Sequence, residues 1–541
     1  MTGRRLAERV RSDRSKTGSS SRRAHHGRTR VERPAWAALG TVAALGACVA
    51  ADVGAVDGWV PQASLSLGMN FTDNVMLAPR GQAEADITLR TAPTLQLART
   101  KGRLKANAVY TPVVVGYVDT TRGETLFNGL HATGSFEALD DFAFVDAKAS
   151  IQQTFISPFG AQPSDVTAQT ANRTEMRTVG LSPYVKGRLG GGGSYLVRHD
   201  LTLITSSTAA IPETLSNRTS LQLSGDPGRF FIPATDYSYA ATQYGSSPAY
   251  VNQIGRVRIT AKFDKEFSAF LSGGYESYNL ITSTRSGAIY GGGFNWQPQT
   301  RTTLSASIEN RYYGNSFNVS GSHQTRLSTW KLHASRTDQQ LPDRLPESST
   351  ASARQTLNEL LRFTIPDPTA RAQEVERLLQ AGVPGLAGQN TGFLTTRVNL
   401  VKSIEPSVAI TGVRNTLTFS AFRRETTPLS SSAVTTVGDP FLNVNGIRQI
   451  GWSIFDSWQL TEHTSVFAGL DRTRSSTSRG TVAGGPAESA NQETYRVGLT
   501  HRLGSASTLN GTFRIFRVER SGTPDVLEHA LLLTFTHNFY R

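Results

Sequence analysis

The residues with the most chemical potential are scattered singly. His131, His199, His323, His333, His501 and His537 sit apart, and no two have metal-ligand spacing. No Gly-x-Ser-x-Gly, His-Glu-x-x-His or Walker pattern occurs. Asp140-Asp141 is a carboxylate pair, but it lies where two apolar-periodic stretches meet, the ordinary place for a turn. Gly190 to Gly193 could pass for a phosphate cradle. No helix signal follows it, so a hairpin turn is expected. The one cysteine, Cys48, excludes a disulfide framework and a multi-cysteine metal site. No catalytic residue, cofactor-binding residue or metal ligand emerges, and the chain is read as a non-enzyme. A more coherent set is cationic: Arg103, Lys105, Arg256, Arg258, Lys262 and Lys331. Each falls on the polar side of an alternating stretch. Rings of such side chains favour anions in a pore. They could equally brace a wall by pairing with Asp86, Asp146 and other carboxylates.

The elements that must position them are strands. In Arg256-Val257-Arg258-Ile259-Thr260-Ala261-Lys262-Phe263 polar and apolar residues alternate without a break. A period of two puts Val257, Ile259, Ala261 and Phe263 on one face. Membrane barrels need this pattern, lipid outside and wet lumen inside. The stretch Asn252 to Arg336 is expected to hold four or five such strands. Comparable segments run from Trp59 to Asn70, Ala85 to Thr100, Arg103 to Tyr117, Leu126 to Leu139 and Phe142 to Phe155. They continue from Met176 to Leu189 and from Ser194 to Ile204. Later ones are expected at Leu394–Ile404, Ser407–Arg423, Ile447–Leu460, Thr464–Arg474, Glu493–Arg502, Thr508–Arg520 and Val526–Tyr540. Asn217 to Tyr244 is weaker, being interrupted by Pro227 and Pro233. Ser157 to Arg173 reads as a long polar loop.

At about 9–11 residues per span, this predicts an all-β fold: a single large antiparallel transmembrane β-barrel of about 18–22 strands. Tyr110, Tyr117, Tyr278, Trp296, Tyr312 and Tyr313 are expected as interfacial girdle residues. Residues 351–384 interrupt the pattern. Leu357, Leu360, Leu361, Val375, Leu378 and Leu379 have helical spacing, and Thr369 is a candidate cap. This insert is expected either on the barrel rim or as a lid or plug in the lumen.

The 541 residues carry a net charge of +14, but residues 1–33 hold much of it, with 11 of the 56 Lys and Arg. The rest is mildly basic, so nucleic acid is not an expected partner. Residues 1–55 read as a basic leader plus signal peptide, with Ala35 to Ala51 as the apolar run and cleavage sites after Ala51 or Ala55. Leu45-Gly46-Ala47-Cys48 offers lipidation of Cys48 as an alternative. Residues 56–541 form the expected barrel, with outer-membrane lipid around it.

Several stretches resemble a bacterial family of outer-membrane β-barrel proteins associated with the PEP-CTERM/exosortase system. They are Phe71-Thr72-Asp73-Asn74-Val75, Asn172-Arg173-Thr174 and Leu181-Ser182-Pro183-Tyr184. Arg311-Tyr312-Tyr313-Gly314-Asn315-Ser316, His323 to Trp330, and Thr411 to Thr416 complete the set. The resemblance implies a companion of exopolysaccharide production, with polysaccharide and polysaccharide-export proteins as partners. The expected function is a channel or guide for secreted polysaccharide. The alternatives are a non-conducting structural or assembly protein and, third, an outer-membrane hydrolase.

Overall fold

The computed structural model describes residues 58–119, 123–208, 211–344, 393–432, 439–442, 444–478 and 488–539. Between 345 and 392 it describes residues 354, 357–362, 368, 371, 372 and 375. The leader and signal assignments, Cys48, Thr369, Leu378 and Leu379 lie outside the described residues.

Strands dominate because the alternation seen in the sequence is satisfied almost everywhere. They run β1 Trp59–Thr72, β2 Asp86–Arg99, β3 Leu104–Tyr110, β4 Val113–Tyr117, β5 Thr125–Phe127, β6 Leu130–Leu139, β7 Ala143–Phe155 and β8 Arg173–Arg188. Next come β9 Ser194–Ser206, β10 Thr214–Ser224, β11 Phe231–Tyr244, β12 Tyr250–Lys262, β13 Phe267–Asn279, β14 Thr284–Gln299, β15 Thr302–Arg311 and β16 Gly314–Gln324. The last are β17 Ser328–Gln339, β18 Asn399–Thr411, β19 Asn415–Pro428, β20 Ile447–Gln459, β21 Thr464–Thr477, β22 Ser489–Arg502, β23 Ser507–Arg520 and β24 Thr523–Asn538. All 24 belong to one sheet, and every pairing is antiparallel to a sequence neighbour except at two places.

The first is the expected strand Arg103 to Tyr117. Both β3 and β4 pair with β2, while β5 and β6 lie opposite them, so these four segments form two broken staves. The breaks face each other, and Thr111 and Gly129 exchange backbone hydrogen bonds of 2.7 and 3.1 Å. Pro112, which has no N–H to donate, explains why the ladder lapses there. The barrel therefore has 22 staves. The second exception closes it. β1 pairs with β24, from Ser64↔Asn538 to Thr72↔Ala530. Closure leaves no sheet edge in lipid.

Two sequence expectations shift. Asn315 to Arg336 is two strands, β16 and β17, turning at Thr325–Leu327, so the stretch from Asn252 holds six strands. The pair expected at Leu394–Ile404 and Ser407–Arg423 is displaced to β18 and β19, turning at Gly412–Arg414. The gap between the two expected strands, Glu405–Pro406, lies inside β18, with Pro406 across from Leu332.

Alternation sorts the wall. On β1 and β24, Leu67↔Phe535, Met69↔Leu533 and Phe71↔Leu531 are outward pairs, while Asn70 and Thr72 point in and are buried. The turns at one end are short, as at Asp140–Phe142 and Thr300–Arg301. The connections at the other are long, as at 156–172, 340–398 and 429–446. At the hairpin of Gly190 to Gly193, Gly191 and Gly192 take φ of 80° and 85°, a conformation that suits only glycine well.

Candidate functional site in the barrel lumen

Near the short turns the lumen is a wet, charged space. A cavity of about 630 Å³ is lined by Lys105, Asn107, Asp146, Lys148, Arg198 and Asp200. Arg198 bridges Asp146 at 2.7 Å and Asp200 at 2.8 Å, and the Ser182 hydroxyl donates to Asp200 at 2.6 Å. Beside them Phe144 and Tyr184 stack with centroids 5.0 Å apart. The Lys186 amine lies 4.4 Å from the Phe144 ring and the Arg198 guanidinium 5.1 Å from Tyr184. Further round the wall Arg256 sits between Asp236 at 3.5 Å and Glu309 at 3.4 Å. Arg258 lies 4.6 Å over the Phe270 ring. That ring occupies space left by Gly293, where a Cβ would come within 2.7 Å of it. A second cavity of about 450 Å³ is lined by Thr260, Lys262, Ser268, Asn295, Thr303 and Ser305.

The six cations singled out in the sequence therefore separate. Lys105, Arg256, Arg258, Lys262 and Lys331 face the lumen; Arg103 sits at a turn and binds Asp140 at 2.6 Å, both largely exposed. Arg256 is held by two carboxylates and Lys331 by Glu359 of the insert at 2.6 Å. Asp146 pairs with Arg198 instead of with any of the six. Asp86 accepts the backbone N–H groups of Ile87, Val118 and Asp119. Four histidines form cross-strand pairs with hydroxyls: His199–Thr219, His323–Thr302, His501–Thr464 and His537–Ser507, at 2.8–2.9 Å.

Near the long loops the lumen is filled. The connection 156–172 folds inward and is clamped by Arg173, which donates to the carbonyls of Pro163, Asp165, Val166 and Ala168. Asn172 ties the loop's two ends, accepting from the Ser157 N–H at 2.8 Å and donating to its carbonyl at 2.9 Å. Asn70 reaches across from β1 to Thr167 at 3.1 Å. Gln492 on β22 accepts from Gln162 N–H and donates to Gly160. Asp165 is enclosed near Arg90 and Arg514. Burial pushes its carboxyl up, but these two cations and the Thr167 bonds outweigh that and hold it below the usual carboxylate value. Phe159, near the start of the loop, packs with Phe393, Phe441 and Val444 from two other loops.

The insert reaches deeper, to the short-turn ends of β17, β20 and β21. Leu357, Leu361 and Val375 pack on Phe455 and Phe467, lumen-facing rings of β20 and β21. Of the two placements expected for it, the described residues take the one inside the lumen. A short helix, α1 (Leu341–Arg344), precedes it, and Leu341 joins Tyr244, Tyr250 and Tyr278 in a buried cluster. Arg218 on β10 holds Asp343 at 3.1 Å, and the Tyr250 hydroxyl donates to the Ser431 carbonyl at 2.7 Å.

Several expected girdle residues are instead part of this plug. Tyr117 and Tyr278 are buried and point inward, and Tyr312 packs 4.2 Å from Tyr278. Arg311 bonds Glu276 at 2.7 Å and the Tyr278 hydroxyl at 3.0 Å, and lies over Tyr313. Tyr110 and Trp296 do face outward. The rings that girdle the short-turn end with Trp296 are Trp330, Trp458, Phe263 and Phe539. Aromatic type alone does not say which face a residue occupies; its position in the alternation does.

Asp165, Arg173, Arg90 and Arg514 were not singled out, because contacts made across 22 staves leave no spacing to read. The one signal was local: Asn172-Arg173-Thr174 is a motif of the family resemblance, and its first two residues are the loop clamp.

A closed barrel with an apolar outer belt and a polar lumen defines the class: this is an outer-membrane β-barrel protein. No protein-family model and no curated protein matches the chain. Solved structures with a similar fold include the siderophore receptor PirA from Acinetobacter baumannii, at 9% identity and TM-score 0.47, covering 88% of this chain and 80% of that one. The outer membrane protein OpdK from Pseudomonas aeruginosa matches at 10% identity and TM-score 0.36, covering 88% and 99%. A BenF-like porin from Pseudomonas fluorescens Pf-5 matches at 10% identity and TM-score 0.36, covering 90% and 100%. These superpositions are loose. The fold assignment stands on the chain's own closed hydrogen-bond circuit.

Proposed function

We propose that this protein is a gated outer-membrane channel or guide for a secreted polysaccharide, working in a PEP-CTERM/exosortase and exopolysaccharide system. The observation that carries gating is the division of the lumen. Polar cavities lie in its short-turn half beside β3–β9 and β12–β16, whereas the long-loop half, and the short-turn half beside β20 and β21, are occupied by segments that dock through side chains and could withdraw without breaking the wall. The polysaccharide assignment is supported by the family resemblance and by the hydroxyl- and amide-rich lumen face, including Asn107, Ser182, Ser305 and Asn318. The wall rings Phe144, Tyr184 and Phe270 each carry a cation against them, so they brace the wall and leave sugar contact to polar groups.

The second reading, a non-conducting assembly protein, draws support from how dry the plug is. Leu357, Leu360, Leu361, Phe455 and Phe467 are all at most 1% exposed. Planar-bilayer recording separates the two. The channel reading expects small or rare currents from the whole chain and frequent large openings once residues 345–392 are replaced by a short linker. No current above background from either form removes it. A loss of exported polysaccharide in cells carrying a correctly inserted but permanently plugged barrel tests the cargo separately.

A further inference from the structure

The outer wall carries a localised cationic patch where hydrocarbon should give way to headgroups. On β19, β20 and β21 the outward row reads Arg423↔Ile450↔Arg474. Immediately above it lie Lys402, Glu425 and Arg448, also outward and in register. Arg448 is matched by Glu425 at 3.4 Å, and Arg472 by Glu493 at 3.3 Å. Lys402, Arg423 and Arg474 are exposed and have no ion-pair partner among the described residues.

The height of the patch follows from strand geometry. Trp458 marks the short-turn girdle on β20. At about 3.3 Å per residue and a tilt near 40°, the climb from Trp458 to Ile450 is roughly 20 Å, and to Arg448 roughly 25 Å. The apolar band of such barrels is about 25 Å tall. The patch thus sits at the boundary of the leaflet on the long-loop side. At the same height on β13, counted from Phe267, the wall presents exposed Tyr275 instead. Outward cations on other strands are answered, Arg177 on β8 by Glu175 at 2.7 Å and Arg336 on β17 by the carbonyls of Asn315 and Tyr313, whereas those of this sector are not.

A cation at the edge of hydrocarbon is costly unless an anion meets it. Arg423 and Arg474 lie two strands apart, so their backbones are about 10 Å from each other. The guanidinium fork suits phosphate, which it can bond in bidentate fashion. Two outward rows below, Ile454 and Phe419 offer exposed apolar surface for acyl chains. We propose that this sector seats a phosphorylated glycolipid of the outer leaflet, with Arg423 and Arg474 gripping its phosphates and Lys402 adding charge above.

The test uses the full-length protein, purified, stripped of lipid by detergent exchange and examined by native mass spectrometry with added lipid. The probes are bis-phosphorylated lipid A, the same lipid without its phosphates, phosphatidylglycerol and inorganic phosphate. The wild type is expected to retain bis-phosphorylated lipid A, and Arg423→Gln with Arg474→Gln to weaken that retention about tenfold. Arg326→Gln, which removes one positive charge at a short turn as Arg474→Gln alone does in the patch, is expected to leave it unchanged. Arg474→Gln alone gives a milder variant, and a heat-modifiable gel shift verifies that each barrel is folded. Equal retention by the double variant overturns the proposal. So does equal binding of the dephosphorylated lipid or of phosphatidylglycerol, or complete displacement by inorganic phosphate.

Discussion

Asp165 shows how one residue can set whether a loop stays docked. Its carboxylate accepts the Thr167 N–H at 2.8 Å and faces the charges of Arg90 and Arg514. Because its folded-state pKa lies below the ordinary 3.8, it binds its proton more weakly when the loop is docked. Its stabilising contribution is fully present above pH 3.8 and is lost as pH falls through the lower folded value. Hydrogen exchange of the peptide covering 157–172, corrected for intrinsic rates, should therefore be slow at neutral pH and quicken in strong acid. Asp165→Asn should quicken it already at pH 7, by about 1–3 kcal/mol of lost docking. Unchanged protection in the variant would mean that the loop's other ties, those of Arg173, Asn172 and Gln492 among them, hold it without Asp165. None of this was readable from the polar composition of Ser157 to Arg173. A loop's solvent-like residues and a plug's hydrogen-bonded ones are of the same types, and only closure of the wall decides which they become.

Strands and insert differ in how plainly they announced themselves. Alternation carried β12 unbroken, from Arg256 to Phe263, and fixed which face met lipid. It missed the β16–β17 boundary because Thr325, Arg326 and Leu327 include none of the glycine, proline, asparagine or aspartate residues that mark a turn. It also broke a strand at Glu405–Pro406, where an antiparallel strand tolerates a proline in place of one donor. The insert declared its helical stripe but not its location, since Leu357 and Leu361 would suit rim or lumen equally. Phe455 and Phe467 settle it, because they occupy inward positions that a water-filled pore would leave polar. The pair Lys331–Glu359 is partly exposed and adds only about 0.2–1 kcal/mol, so the aromatic contact is the larger hold. Phe455→Ala with Phe467→Ala should loosen the insert by a few kcal/mol while the outward face is untouched. The measurable result is a rise in open probability in planar bilayers, approaching that of the protein lacking 345–392. Lys331→Gln alone should change it little. The reverse order of effects would assign the insert's docking to charge.

At the scale of the whole barrel the decisive feature is the seam, where the first strand meets the last. Its buried polar centre is Arg514, which bonds both oxygens of Glu528 at 3.1 and 2.9 Å, while the Thr72 hydroxyl donates to the same carboxylate at 3.0 Å. Asn74 extends the tie, donating to the carbonyls of Ala78 and Leu527, and His529 meets Asp73 at 2.6 Å. The segment Phe71-Thr72-Asp73-Asn74, part of the family resemblance, is thus the stitching between β1 and β24. Residues so far apart in the chain could not be paired by inspection of sequence. Breaking one member of a buried pair strands the other, at a cost of about 3–5 kcal/mol, whereas replacing both by apolar groups of similar volume is often neutral. Glu528→Ala should therefore lower the urea midpoint of the lipid-inserted barrel markedly, and Arg514→Met with Glu528→Leu should recover most of the loss. Removal of β24, residues 523–541, should behave differently in kind. It exposes the edges of β1 and β23, and each unpaired backbone group in lipid costs several kcal/mol. That form should fail to insert and show no heat-modifiable band, because a barrel with a weak seam is still closed, whereas one without its last stave has two edges that hydrocarbon cannot satisfy.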